Sequence, residues 1–219
     1  MSTPRSGKPE RATMNKKNKP SEHYYSSDPK SSECLGIIRT SLRGHNFEFL
    51  TSTSVFSKKK VDLGTRILID NMILPQKGLV LDIGCGYGAV GITAATLSPQ
   101  LQVIMTDVNT RAVRLAKQNI ETNHINNAKV RYGNLYEPLT DLLFNCVLSN
   151  PPVSAGMSTV KAIIEGAPKI MAPNSSFQMV IRSKIGAKLF PETFYETFGN
   201  CEIVARESGY RVLMGTLSA

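Results

Sequence analysis

The 219 residues include four cysteines, Cys34, Cys85, Cys146 and Cys201, and they are widely scattered. No CxxC and no Cys/His pair stands at metal-ligand spacing, so no metal is expected, and reduced thiols in a cytoplasmic protein are the reading. Long apolar runs are missing too. None approaches the roughly 18–20 residues that a membrane helix needs, so no membrane partner is expected. The N-terminus is polar and basic and has no apolar h-region, which argues against a secretory signal. Histidine is scarce, and His23, His45 and His124 have no evident partner, so no role is assigned to them.

Acidic residues are also few: 17 Asp and Glu face 26 Lys and Arg, for a net charge of +9. Residues 1–30 carry +4 of this, from Arg5, Lys8, Arg11, Lys16, Lys17, Lys19 and Lys30 against Glu10, Glu22 and Asp28. Both parts of the chain are basic, which suits a polyanion such as nucleic acid. The positive segment has no amphipathic apolar stripe to anchor it on a membrane surface.

Hydrophobic residues make up 41% of the chain, enough for a globular core. Residues 1–22 read as a basic, disordered arm, rich in Lys, Pro, Ser, Thr and Asn. Residues 23–219 read as a single domain, with an N-terminal extension over 23–77 and a core over 78–219. Within the extension, "FEFLTSTSVFS" alternates apolar and polar residues and predicts a small hairpin. "VDLGTRILIDNMI" predicts a helix capped by Asp62, with Leu63, Ile67 and Met72 near helical spacing. From residue 78, seven apolar strands are expected: "LVLDIG", "LQVIMTDV", "AKVRYGNL", "FNCVLSN", "SSFQMVIRS", "CEIVARES" and "GYRVLMGTL". Helices are expected over "AVGITAATL" and "RAVRLAKQNIETN", and over about 157–171 and 186–198. Apolar strands alternating with helices indicate a doubly wound α/β sheet covered on both faces, with the last two strands antiparallel.

"LDIGCGYGAVG" places Gly84, Gly86 and Gly88 between a strand and a helix, where a backbone loop comes close to a ligand. Asp107 ends the next strand, 23 residues after Gly84. A carboxylate there accepts hydrogen bonds from a ribose diol. Gly84-x-Gly86-x-x-Ala89 also fits the dinucleotide fingerprint. Against that, Asp82 lies two residues before the glycines and would repel a pyrophosphate, whereas it would attract a cationic amino-acid moiety. The better match is an adenosine without phosphates, S-adenosylmethionine.

"VLDIGCGYG", "TDVN", "GNLY" and "SNPP" together resemble the successive motifs of the class I S-adenosylmethionine-dependent methyltransferases. "VFSKKKVDLGTRILID" and "GYRVL" narrow the resemblance to the "methyltransferase small" domain of enzymes that methylate guanine N2 in small-subunit ribosomal RNA. "HYYSSDP" is similar to the archaeal single-domain members. The resemblance implies a Rossmann-like, seven-stranded, mostly parallel sheet with an antiparallel C-terminal strand. It further implies that Asp82, Gly84, Cys85, Gly86 and Gly88 line the cofactor. Asp107 would hold the ribose and Val108 would lie against the adenine. Asn134, where Asp is commoner, and Leu135 would lie by the adenine edge, with Phe56, Asp62 and Thr65 as a wall.

"SNPPVSAG" ends an apolar strand on two prolines, which donate no hydrogen bond and hold the preceding residue extended. An exocyclic amino group has two N–H donors. The Asn150 side-chain oxygen and the Pro151 carbonyl would each accept one, aiming the nitrogen lone pair at the methyl donor. Pro152 would keep the turn rigid. Val153 stands where many relatives carry an aromatic residue. Lys58, Arg182 and Lys184 are the expected RNA contacts, with Lys59 and Lys60 beside the first of them. Transfer RNA, adenine N6 and protein glutamine remain open as alternative substrates. A non-catalytic RNA-binding protein on the same scaffold is a further alternative. Oligomeric state is not legible.

Overall fold

The computed structural model describes residues 34–52, 60–151 and 156–219. The basic arm, "HYYSSDP", Phe56, Lys58, Lys59, Pro152 and Val153 lie outside the described residues.

A hairpin opens the described chain. Strand β1 (Leu35–Leu42) pairs antiparallel with β2 (His45–Ser52). Arg43 and Gly44, both at positive φ, form the two-residue turn between them. The hairpin therefore lies upstream of where "FEFLTSTSVFS" predicts it, and "FEFLTS" is only its second strand. The alternation in that stretch correctly marks a half-buried strand. The turn is set by the glycine of "LRGH", whose left-handed backbone needs no second apolar run to announce it. Two asparagines of helix α3 (Thr110–Thr122) and its C-cap complete the free edge of β2. Asn119 bonds Leu50 N (2.7 Å) and Leu50 O (3.0 Å), and Asn123 bonds Glu48 N and Glu48 O. Each side-chain amide thus does the work of a neighbouring strand.

Helix α1 (Leu63–Asn71) begins at Asp62 as expected, with the Asp62 side chain accepting from Gly64 N and Thr65 N. Its buried face is Ile67, Leu68 and Ile69, while Leu63 is exposed.

The seven remaining strands are β3 (Gly78–Ile83), β4 (Leu101–Asp107), β5 (Ala128–Tyr132), β6 (Phe144–Ser149), β7 (Met171–Arg182), β8 (Glu202–Glu207) and β9 (Tyr210–Thr216). They form one sheet in the order β5-β4-β3-β6-β7-β9-β8, in which β9 alone runs opposite to the other six strands. This is the seven-stranded, mostly parallel sheet expected from the sequence. Alternate residues supply its two faces. Val80, Val103, Met105 and Leu148 pack under α1, α2 (Ala89–Leu97), α3 and the hairpin. Leu81, Ile83, Phe177 and Met179 pack under α4 (Met157–Gly166) and α5 (Leu189–Phe198). Helix α4 is shorter than expected. A 3-10 turn over Ala167–Ile170, with Pro168 near its start, carries the chain into β7, which begins at Met171.

The strand order matters for function. Along the carboxyl edge of the parallel strands stand, in sequence, Asp107 on β4, Gly84 after β3, Asn150 after β6 and Arg182 on β7. The amino end of β9, Tyr210, comes next. Ligands in open α/β sheets bind at this edge, where connections leave in opposite directions.

Candidate active site

The glycine loop is tied down before any ligand is considered. Gly84 N and Cys85 N both donate to Thr106 O at 2.9 Å, holding the end of β3 against β4. Gly84 adopts φ +72°, and a side chain there would meet nothing within 4 Å, so the open space above it belongs to the cavity. Gly91, one turn into α2, is glycine for a different reason. A β-carbon on it would collide with Met105 Sδ and stand 3.2 Å from Asp82 Oδ2.

Two buried carboxylates flank this loop. Asp82 Oδ2 accepts from Gly91 N at 2.9 Å. Desolvation pushes its pKa up from 3.8 to about 7, opposed by the Gly91 N–H and reinforced by the Asp107 charge. Asp107 Oδ2 accepts from Gly86 N (2.9 Å) and its Oδ1 from Asn109 N (2.8 Å). Burial raises its pKa too, against the N–H groups of Asn109, Gly86 and Val108.

Asn150 leaves β6 beside them. Its Nδ2 donates to Thr65 Oγ1 at 2.8 Å and to Asp62 Oδ2 at 3.3 Å. The same Asp62 oxygen caps α1 through Gly64 N (2.9 Å) and Thr65 N (3.3 Å). Thr65 accepts or donates equally well and does not choose between the two amide orientations. The Asp62 carboxylate only accepts, so it places nitrogen towards α1 and leaves Oδ1 as the remaining polar atom of the amide. Pro151, with no N–H, offers only its carbonyl.

A cavity of about 330 Å³ connects these groups. Of the expected site residues, Thr65, Asp82, Gly84, Cys85, Gly86, Asn150, Pro151 and Arg182 line it together, with Asp62. Gly88 stands behind the loop, near Ile92 and Ala116. Asp107 touches the site through Gly86. Val108 follows it, and Leu135 is half-buried with φ +46°. Asn134 is exposed, and its amide lies 3.4 Å from the Glu137 carboxylate rather than in the cavity. Lys184 is exposed outside the lining. Sequence reasoning missed Ile185, Tyr87 and Tyr210, which also line the cavity. Tyr210 had a signal: it is the aromatic of "GYRVL", one of the stretches that carry the family resemblance.

Buried carboxylates beside a glycine loop, followed across the sheet by an oriented Asn-Pro, define a methyltransferase of the S-adenosylmethionine-dependent class. The chain belongs to the methyltransferase small domain family, whose profile matches residues 46–214. It is 38% identical over 197 residues to the uncharacterized protein YbxB of Bacillus subtilis (strain 168), covering 88% of this chain and 97% of that one. This relative is bacterial and of comparable length. The chain is 31% identical over 171 residues to the Ribosomal RNA small subunit methyltransferase C of Hamiltonella defensa subsp. Acyrthosiphon pisum (strain 5AT), covering 76% of this chain and 49% of that one. It thus spans about half the length of that relative. Among solved structures, the T. thermophilus 16S rRNA N2 methyltransferase RsmC, in complex with AdoMet and guanosine, superposes with a TM-score of 0.75 at 22% identity. The match covers 86% of this chain and 52% of that one, and it shows the shared fold.

Proposed function

We propose that this protein transfers a methyl group from S-adenosylmethionine to the exocyclic N2 of a guanine in small-subunit ribosomal RNA, in the cytoplasm. The observation that carries the reading is the Asn150 amide, anchored through Nδ2 on Asp62 and Thr65 in the cavity that the glycine loop lines.

The residues present fit this cofactor. The open space over Gly84 admits a ligand against the backbone. Two buried carboxylates suit a cationic ligand with a ribose and oppose a diphosphate. Asp82, Gly84, Cys85 and Gly86 would hold the amino-acid portion, Asp107 the ribose, and Val108 and Leu135 the adenine. S-adenosylmethionine supplies a methyl group on a positively charged sulfur.

The protein's part is positioning and charge stabilisation. Asn150 Oδ1 accepts one hydrogen of the target amino group and the Pro151 carbonyl accepts the other. The nitrogen lone pair, otherwise delocalised into the ring, is thereby turned towards the donor. Both oxygens stabilise the positive charge that develops on nitrogen. No strong base is needed, because the methylated ammonium is itself acidic.

The net charge of +9 and the likeness to Ribosomal RNA small subunit methyltransferase C support RNA as substrate. The test is transfer of tritiated methyl from the donor to ribosomal RNA from cells lacking this protein, followed by nucleoside analysis. N2-methylguanosine is expected. Label in protein alone, or in another nucleoside, overturns the assignment.

A further inference from the structure

A base drawn out of folded RNA loses its stacking partners, and an enzyme that acts on it restores a π-surface. The sheet order shows which side of Asn150 this surface must occupy. Asp107 on β4 and the glycine loop after β3 take the cofactor side. Beyond Asn150 the carboxyl edge continues only to β7, β9 and β8. Substrate must approach the methyl group from opposite the leaving sulfur, hence from the β7–β9 side.

Two aromatic rings line the cavity among the described residues, Tyr87 and Tyr210. Tyr87 is 4% exposed and packs on Phe49, with ring centroids 5.6 Å apart, so it belongs to the core. Tyr210 is half-buried at the first position of β9, directly across from Arg182 in the β7–β9 pairing. The Arg182 guanidinium lies over its ring, 5.4 Å from the centroid. The ring also rests on α1 at Gly64, where an added β-carbon would come within 3.0 Å of Cε1. Gly64 belongs to the same first turn, capped by Asp62, that orients Asn150. One helical turn thus locates both the acceptor amide and the aromatic ring.

We propose that Tyr210 is the stacking platform for the target base and that Arg182 binds the phosphate of the same nucleotide. This rests on the reading of the site as an RNA base methyltransferase. In this structure the planar guanidinium covers the ring. A purine takes that place and the guanidinium moves to the phosphate, where its donors match phosphate oxygens and a stacked cation is no longer needed.

The chain contains no tryptophan, so Tyr210→Trp introduces a single indole reporter. Titration of this full-length variant with guanosine 5′-monophosphate, in the presence of S-adenosylhomocysteine, should quench its fluorescence. Adding Arg182→Ala should remove the preference for the monophosphate over guanosine. In methyl transfer, Tyr210→Ala should raise the KM for RNA by about ten- to a hundredfold with donor affinity unchanged, and Tyr210→Phe should restore it. Absence of quenching while the cofactor product still binds overturns the platform. So does a wild-type KM in a Tyr210→Ala enzyme that methylates RNA, and in that case the broader reading stands. If the wild-type enzyme labels no RNA at all, the broader reading fails, and quenching by the monophosphate still decides whether the platform exists.

Discussion

The Asn150 amide nitrogen donates to the Thr65 hydroxyl at 2.8 Å, across 85 residues of chain. Asp62 takes the second interaction from the same nitrogen at 3.3 Å. A residue at the end of a central strand is therefore oriented by the first turn of a helix outside the doubly wound core. Thr65→Val keeps the volume and removes the acceptor. A fall in kcat of about tenfold is expected, the worth of one hydrogen bond, with donor affinity within twofold of wild type. Thr65→Ser should recover the rate. A variant that instead loses donor binding would place Thr65 on the cofactor, as the family resemblance suggests.

Asn150→Ala removes an acceptor aimed at developing charge. A loss of about a hundred- to a thousandfold in kcat is expected, from initial rates at saturating RNA and donor. Calorimetric donor affinity should be nearly unchanged. Its loss would remove Asn150 from the role assigned to it.

Asp107→Ala should do the reverse. It deletes the carboxylate proposed to hold the ribose and leaves Gly86 N without the acceptor that holds it at 2.9 Å. The donor Kd should rise about a hundredfold, for two hydrogen bonds to a charged group lost together. Catalysis at saturating donor should fall much less.

Burial raises the Asp82 pKa from 3.8 to about 7. The folded ligand-free protein then binds this proton more tightly than the unfolded chain does. The stability contribution is fully present below pH 3.8 and is lost as pH rises through about 7. Its slope is up to about 1.4 kcal/mol per pH unit in that window. Melting temperature of the ligand-free protein should fall between pH 5 and pH 7 and level off above, and Asp82→Asn should flatten that slope. Donor affinity should move the other way and rise over the same interval, because the ionised carboxylate attracts the cation. Calorimetry in buffers of different ionisation enthalpy should detect the proton released on binding.

Asn119 is fully buried and ties Leu50 on both sides and Tyr87 O, at 2.8 Å, into one junction. Asn119→Ala leaves these backbone groups unpaired. A loss of about 3 kcal/mol in urea unfolding is expected. The glycine loop should loosen with it, read as weaker donor binding.

The doubly wound core was legible because its strands are near-continuous apolar runs that alternate with helical stretches. "AVGITAATL" coincides with α2, and Asp62 caps α1 as expected. The glycine loop and Asp107 were legible for the same reason: a strand, a turn and a strand end are local signals. The hairpin was misplaced, because its partner strand is chosen by a turn and by asparagines some 70 residues away. Asn134 follows β5, and only the structure shows its amide 3.4 Å from the Glu137 carboxylate.

By itself, the sequence determined the layered α/β core, the carboxylates beside the loop and the rigid Asn-Pro step, since each depends on neighbours a few residues apart. Tertiary structure alone decided which atom of Asn150 faces α1. It also decided that the rings and cations of β7 and β9 close the same cavity. Sheet order and side-chain orientation are set by packing between distant segments, and no local pattern encodes them.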